Sequence, residues 1–446
     1  MKGSVKNDRE NEDCIQVSVR VRPTLKNELE EKIGWEWKDN TLTFRNCLQS
    51  TYTFDHLFPP ESSNSEIFTS VVQKIVYQSM QGFHGTVFTY GQTSSGKTFT
   101  MSGSQSQPGV IPLSIHYCFE SIQKLFTDRE FLIRVAYLEV YNEQVKDLLS
   151  TELSQIKIQH DVKLGTVLTG VKEQVVLNAQ QVIALLKAGE AHRHVGNTDM
   201  NEKSSRAHTI LKLTIESKAR MDSADGPVRV SVLNLVDLAG SENAKMTGST
   251  GERAREAKYI NQSLLTLSLI LQRLSTAKNG SSHIQYLPFR DSKLTRLLQS
   301  SLSGNAQITI ICTISPTLRC AEESLNTLKF AARAKSIRTR ADVNEVMDDK
   351  TLLRMYRTEI HSLKTRLAVV ETQGIELLLS DAITERKSNE FLTDCSDVIT
   401  QSGVSDIQSV TVRDEEWNIG ENYDDNESTK ILQVASMSSK LTLRSL

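Results

Sequence analysis

Apolar residues cluster along this chain in three rhythms. Short unbroken runs occur at Val87-Phe88-Thr89-Tyr90 and at Val232-Leu233-Asn234-Leu235-Val236. Such runs predict strands buried on both faces of a sheet, where no polar side is needed. Ile15-Gln16-Val17-Ser18-Val19 alternates and reads as a strand, closed by Pro23 in the manner of an edge. A second rhythm, the helical one, runs from Glu256 to Thr276, where Ile260, Leu264, Leu267, Ile270, Leu271 and Leu274 form one stripe. It recurs from His283 to Arg296, with Arg290, Lys293 and Arg296 on one face and Leu294, Leu297 and Leu298 on another. The third is a heptad pattern, Leu353, Tyr356, Ile360, Leu363, Leu367 and Val370, spaced 3, 4, 3, 4, 3. It stops at Gly374, so it predicts either a short parallel dimer or a lone amphipathic helix. From about Ser380 no period persists, and 17 of 67 residues are Ser or Thr, which predicts a disordered extension.

Between the first buried strand and the next helix lies Gly91-Gln92-Thr93-Ser94-Ser95-Gly96-Lys97-Thr98, a phosphate-binding loop. Gly91 and Gly96 let the backbone curl so that successive N–H groups face one anion, and the following helix terminus adds its field. Lys97 is expected to reach the outer phosphates and Thr98 to ligate Mg²⁺. The second buried run ends in Asp237-Leu238-Ala239-Gly240. Asp237 is expected to hold the metal through water, and the Gly240 N–H to sense the terminal phosphate. Asn201-Glu202-Lys203-Ser204-Ser205-Arg206 supplies hydroxyls for phosphate and metal, Ser205 among them, and a guanidinium for a latch to Glu242.

These three segments, in this order, resemble the nucleotide motifs of kinesin motor domains. The likeness extends to Val19-Arg20-Val21-Arg22-Pro23, Tyr259-Ile260-Asn261-Gln262-Ser263-Leu264, Phe289-Arg290-Asp291-Ser292-Lys293-Leu294 and Leu328-Lys329-Phe330-Ala331-Ala332-Arg333. It implies an α/β fold of the P-loop NTPase class, a three-layer sandwich with a mostly parallel central sheet flanked by helices. The implied activity is microtubule-stimulated ATP hydrolysis with Mg²⁺, driving movement toward plus ends. A nucleotide-regulated microtubule tether with little motility is the alternative. By the same resemblance Arg20, Pro23 and Tyr90 flank the adenine, and no Asn/Thr-Lys-x-Asp run is present to read guanine. Glu242 takes the proton of the attacking water, with Ser204 and Ser205 orienting it. Arg290, Lys293 and Arg296 bind the microtubule, and Asn261 starts the helix that lies in the tubulin groove. Ile337 and Asn344 anchor the neck linker.

The expected domain plan is a flexible start at 1–12, a motor at 13–335, a neck linker at 336–346, a neck helix or short coiled coil at 347–373 and a tail at 374–446. The phrase Leu352-Leu353-Arg354-Met355-Tyr356-Arg357 resembles the neck of the centromere-protein-E subfamily, which implies spindle and kinetochore work in mitosis, a homodimer and kinetochore partners.

Charge sharpens this picture. Net charge is −2, yet residues 380–446 hold 13 acidic and 6 basic side chains while the preceding 379 hold 41 and 46. A mildly basic body suits a polyanionic partner, and the resemblance names tubulin rather than nucleic acid. Six cysteines, at 14, 47, 118, 312, 320 and 395, are too scattered for a disulfide framework or zinc site, which points to a reducing interior, and the resemblance implies the cytoplasm and cytoskeleton. No run of eighteen apolar residues predicts a membrane span. Ala207, Asn243, Ala257 and Ser303 depart from the family's usual Ser, Arg, Gly and Gly, which leaves rate and coupling open while Lys97, Thr98, Arg206, Asp237, Gly240 and Glu242 are intact.

Overall fold

The computed structural model describes residues 13–45, 50–150, 156–161, 165–195, 205–220, 227–242, 252–276, 286–346 and 366–367. Ser204 and nearly all of the heptad segment lie outside them; Arg366 and Leu367 are helical and exposed.

Among the described residues ten strands make one sheet. They are β1 (Gln16–Val21), β2 (His56–Phe58), β3 (Gly85–Tyr90), β4 (Arg129–Tyr141), β5 (Gln144–Asp147), β6 (Gln174–Val176), β7 (His208–Ala219), β8 (Val228–Asp237), β9 (Gln307–Ile314) and β10 (Glu345–Val346). Their order is β6-β4-β7-β8-β3-β9-β1-β2, with β5 beside β4 and β10 beside β8. Along this path only β6 and β7 run against the rest, so the sheet is mostly parallel.

Its helices are α1 (Gln73–Met80), α2 (Lys97–Met101), α3 (Val110–Lys124), α4 (Ala179–Val195), α5 (Glu252–Thr276), α6 (Lys293–Leu297) and α7 (Ala321–Lys335). Strand alternation sorts the apolar runs between two cores. Val87, Leu233, Leu235 and Ile311 pack with Ile75 of α1, Ile115 of α3 and Val182 of α4. Phe88, Val236, Ile310 and Ile314 pack with Leu267 and Leu271 of α5, Leu294 of α6 and Leu328 of α7. Helices therefore cover both faces, and the strands carry no solvent-facing side to interrupt their hydrophobic runs.

Two helical expectations change in detail. The α5 stripe is buried as its period requires, with Leu267 and Ile270 fully so, but the helix starts four residues earlier, at Glu252. The stretch to Arg296 is not one helix. After Pro288 it makes a 3₁₀ turn, Phe289–Asp291, and α6 starts only at Lys293, where Ser292 caps it by accepting the Leu294 N–H at 3.1 Å. Arg290 therefore sits on the turn, off the helical face of Lys293 and Arg296.

Past α7 the chain runs back along the body. Ile337 is buried, its carbonyl accepting the Ile15 N–H at 2.9 Å. Asn344 donates through its backbone N–H and its side-chain amide to the Gly82 carbonyl, at 3.0 and 3.2 Å, and accepts the Val230 N–H at 2.9 Å. β10 then pairs with Val228–Arg229, the part of β8 that lies before β3 joins it.

Candidate active site

The phosphate loop leaves β3 at its carboxyl end, beside the ends of β8 and β9. Gly91 takes φ +155°, and a Cβ there would lie 2.2 Å from the Thr313 carbonyl of β9, so no side chain is tolerated. Gly96 takes φ +103° and turns the chain into α2, a left-handed conformation that glycine adopts at little cost. Ser95 is fully buried and pins the loop, its Oγ bonding the Gln92 carbonyl at 2.7 Å and Thr313 Oγ1 at 2.6 Å.

Lys97 is 6 % exposed, and its Nζ donates to the carbonyls of Gly91 and Gln92 at 2.9 and 2.8 Å. Burial pulls its ammonium below the usual lysine range, against the opposing pull of Asp237 and Glu242. Asp237 Oδ2 accepts Thr98 Oγ1 at 2.7 Å, and its Oδ1 accepts Thr89 Oγ1 at 3.1 Å. Burial raises the Asp237 pKa in spite of those two hydroxyls and Lys97. A nearby cation would favour its ionised form.

Beyond β8 the chain closes over the loop. Ser241 donates its N–H to the Gly91 carbonyl at 3.0 Å. Glu242 Oε2 accepts the Thr93 N–H at 2.7 Å, and its Oε1 accepts the Thr93 hydroxyl. A Cβ on Gly240 would fall 2.4 Å from the Glu242 carboxylate and from Thr93 Oγ1, so this glycine makes the closure possible. The Gly240 N–H donates to the Ser205 carbonyl at 2.8 Å, and the described contacts of Glu242 go to Thr93 rather than to Arg206.

At the base end the structure corrects one residue. Tyr90 is buried on the α7 side of the sheet, its ring stacked on Phe330 with centroids 3.7 Å apart. Arg20 points to the opposite side, where it donates to Asn64 Oδ1 at 2.5 Å, Thr100 Oγ1 at 2.9 Å and the Ser62 carbonyl at 3.2 Å. Burial lowers this guanidinium to about 10. Tyr90 and Arg20 cannot flank one base. The aromatic beside Arg20 is Phe99, 39 % exposed, with the guanidinium 5.1 Å from its ring centroid. Its signal in the sequence is an aromatic in the first turn after Lys97, between the hydroxyls of Thr98 and Thr100. Pro23 is exposed next to Arg22, whose buried guanidinium grips Glu28 at 2.5 and 2.6 Å and holds that carboxyl below its usual range.

On the α6 side, Arg290 is exposed and Lys293 half-buried, while Arg296 donates to the Ile158 carbonyl at 2.7 Å. Glu143 accepts the Lys293 N–H at 2.7 Å and Ser292 Oγ at 2.9 Å, which completes the amino end of α6. Asn261 of α5 shares a pocket of 420 Å³ with Tyr90, Ser241 and Phe330.

Comparison with known proteins matches this architecture. The kinesin motor domain model fits residues 6–337. Kinesin-related protein 11 of Dictyostelium discoideum is 48% identical over 349 residues, 76% of this chain and 50% of its own. Kinesin-like protein KIN-7N of Arabidopsis thaliana is 45% identical over 367 residues, 81% of this chain and 44% of its own, so the chain spans half or less of these relatives' length. A solved fast kinesin superimposes with a TM-score of 0.68 at 36% identity, covering 75% of this chain and 95% of that one. A two-heads-bound KIF14 dimer with AMP-PNP on a microtubule gives a TM-score of 0.70 at 30% identity, covering 77% and 100%. The loop on β3, the closure over it and the match over most of the chain together make this protein a member of the kinesin motor family.

Proposed function

We propose that this chain hydrolyses ATP on microtubules and uses the cycle to move toward their plus ends. One observation carries the reading: the segment after Asp237 and the loop Gly91–Thr98 meet on a common seat, through Thr98 to Asp237 and Thr93 to Glu242. The seat fits a Mg²⁺ nucleotide. Thr98 Oγ1 and Asp237 Oδ2 are hard oxygens 2.7 Å apart, with the Ser205 segment on the adjoining strand end. When bound, the ion would spread the charge that develops on the phosphoryl oxygens. Thr98 would hold it directly, Asp237 through water, with Ser205 as a further hydroxyl. Lys97 balances the outer phosphates, the amides of Gln92 to Lys97 cradle them, and Glu242 accepts the proton of the attacking water. Phe99 with Pro23 supplies the flat apolar wall for adenine.

Ile337 and Asn344 support reading 336–346 as a neck linker docked on the body, the burial of Ile337 alone contributing about 2 kcal/mol. The KIN-7 names of several relatives support a kinesin-7 assignment of the centromere-protein-E type. With it we infer work on the mitotic spindle at kinetochores, and a homodimer through 347–373.

Steady-state ATP turnover with and without microtubules tests the core of this proposal. Turnover should rise at least tenfold with polymer, a change equivalent to about 1.4 kcal/mol in the barrier. Equal rates would remove the microtubule from the function. Surface-bound protein should also glide filaments in ATP, whereas the tether would hold them still.

A second prediction concerns the basic face. Because Arg296 is tied to Ile158, its replacement would also loosen the strand Lys157–Asp161. Arg290→Glu with Lys293→Glu is the cleaner test. Cosedimentation at low salt should show about tenfold weaker binding, the deficit shrinking as salt screens the charges, with basal hydrolysis retained. Unchanged binding would move the interface elsewhere.

A further inference from the structure

Beside the exposed ring of Phe99 lies a buried cation that no carboxylate answers. Arg20 is 4 % exposed, and among the described residues the groups that hold it are all neutral: Asn64 Oδ1 at 2.5 Å, Thr100 Oγ1 at 2.9 Å and the Ser62 carbonyl at 3.2 Å. A guanidinium taken out of water without a counter-charge is costly, so every acceptor counts toward keeping it in place. Thr100 donates its own proton to the Gly96 carbonyl at 2.8 Å, which joins Arg20 to the phosphate loop. The guanidinium carbon stands 5.1 Å from the Phe99 ring centroid, so cation and ring steady one another.

Asn64 is the hub of this arrangement, and it is itself sealed, at 1 % exposure. Its amide is used on both sides. The oxygen accepts from Arg20, and the nitrogen donates to the Phe99 carbonyl at 3.0 Å and to the Gln107 carbonyl at 3.5 Å. One side chain thus ties β1, α2 and the turn before Pro108 together, 44 residues after Arg20 and 35 before Phe99. Its backbone is fixed independently. Asn64 opens the short helix Asn64–Ile67, which Ser63 and Glu66 cap reciprocally at 3.1 and 3.0 Å. Replacing the side chain therefore cuts the ties without unmaking the turn that presents it.

We propose that Asn64 is a positioning residue for the base of the nucleotide: it holds Arg20 beside Phe99, and so fixes the ring on which the base stacks, without touching base or phosphate itself. This rests on the ATPase reading and adds the residue that sets affinity through the base alone. The physical basis is preorganisation. A ring already held on one side by a buried guanidinium, and through its own backbone carbonyl by the Asn64 amide, need not be ordered when the base arrives. The phosphates are held elsewhere, by Lys97 and the loop that begins at Gly91, and none of the Asn64 contacts reaches that machinery directly.

Asn64→Ala separates base from phosphate. Titration calorimetry of the whole chain without turnover should show AMP-PNP binding about tenfold weaker, while inorganic tripolyphosphate, which has the phosphates and no base, binds as it does to the parent. In steady state the loss should fall on KM for ATP, about tenfold higher, and not on kcat, which stays within about twofold. Asn64→Asp keeps an oxygen facing Arg20 and should bring AMP-PNP affinity back to within about threefold of the parent. Parent-like AMP-PNP affinity in Asn64→Ala would overturn the inference. So would an equal loss for AMP-PNP and tripolyphosphate, which would mean that the whole pocket had lost its shape, or an Asn64→Asp variant no better than Asn64→Ala, which would cut the link to Arg20. A parent chain that neither binds nor hydrolyses ATP is a separate result, and it would bring down the functional proposal itself.

Discussion

Lys97→Ala should lower ATP turnover by about a thousandfold and weaken nucleotide binding by a similar factor. The ammonium sits at 6 % exposure with two loop carbonyls as its partners, so its charge acts across a site nearly free of solvent screening. Two losses add. The Gly91 and Gln92 carbonyls lose one donor each and keep the Ser241 N–H at 3.0 Å and Ser95 Oγ at 2.7 Å, so the loop is loosened rather than orphaned. The triphosphate loses a cation where charge develops, about 3–4 kcal/mol by analogy with removal of one oxyanion donor. Lys97→Arg should rescue little, because a planar guanidinium does not reproduce the compact ammonium's contacts with the Gly91 and Gln92 carbonyls at 2.9 and 2.8 Å. Titration with a fluorescent nucleotide together with steady-state turnover decides it. A variant within tenfold of the parent in both would show that Lys97 belongs to the loop's structure and not to its chemistry.

How far the sequence carries the reader depends on locality. The phosphate seat was legible because eight consecutive residues build it, and because the strand that enters it pairs directly with the run that ends in Asp237, Asp237 opposite Thr89. The fold class followed from the same runs, since strands without a polar phase need cover on both faces. The base end was not legible as read. It joins Arg20, Asn64 and Phe99 from three distant stretches, and the choice of Tyr90 overlooked parity. Tyr90 is two residues from Phe88 and so shares its side of the sheet, facing α7, whereas Arg20 alternates with Val19 and Val21 and faces away.

Helical spacing through Arg290 misled for a different reason. Pro288 disfavours helix in the residue before it, and Ser292 draws the start of α6 to Lys293, so one apparent stripe becomes a turn and a short helix. The family likeness supplied the linker anchors, Ile337 and Asn344, which no local pattern distinguishes from a plain connection. Their partners, Ile15 and Gly82, are distant in sequence, Gly82 standing 262 residues before Asn344.

Glu242→Ala should cut turnover by about a thousandfold while leaving nucleotide affinity within a few-fold of the parent, the separation expected for loss of a proton acceptor. The carboxylate is held by two donors from one residue, the Thr93 N–H and hydroxyl, over a glycine that admits no side chain. That arrangement fixes the direction of the carboxylate. A negative group beside incoming phosphates does not help them bind, so its removal should spare or slightly tighten the nucleotide complex. Glu242→Gln refines the test: the amide oxygen still accepts from Thr93 and preserves the closure, but the side chain no longer takes a proton. If closure alone mattered, Glu242→Gln would turn over like the parent and only Glu242→Ala would fail. If proton acceptance matters, both variants fail alike, and acid quench of a single turnover finds the bound nucleotide still as triphosphate. Turnover within threefold of the parent in both variants would exclude Glu242 from the reaction and send the search for the acceptor to the segment around Ser205.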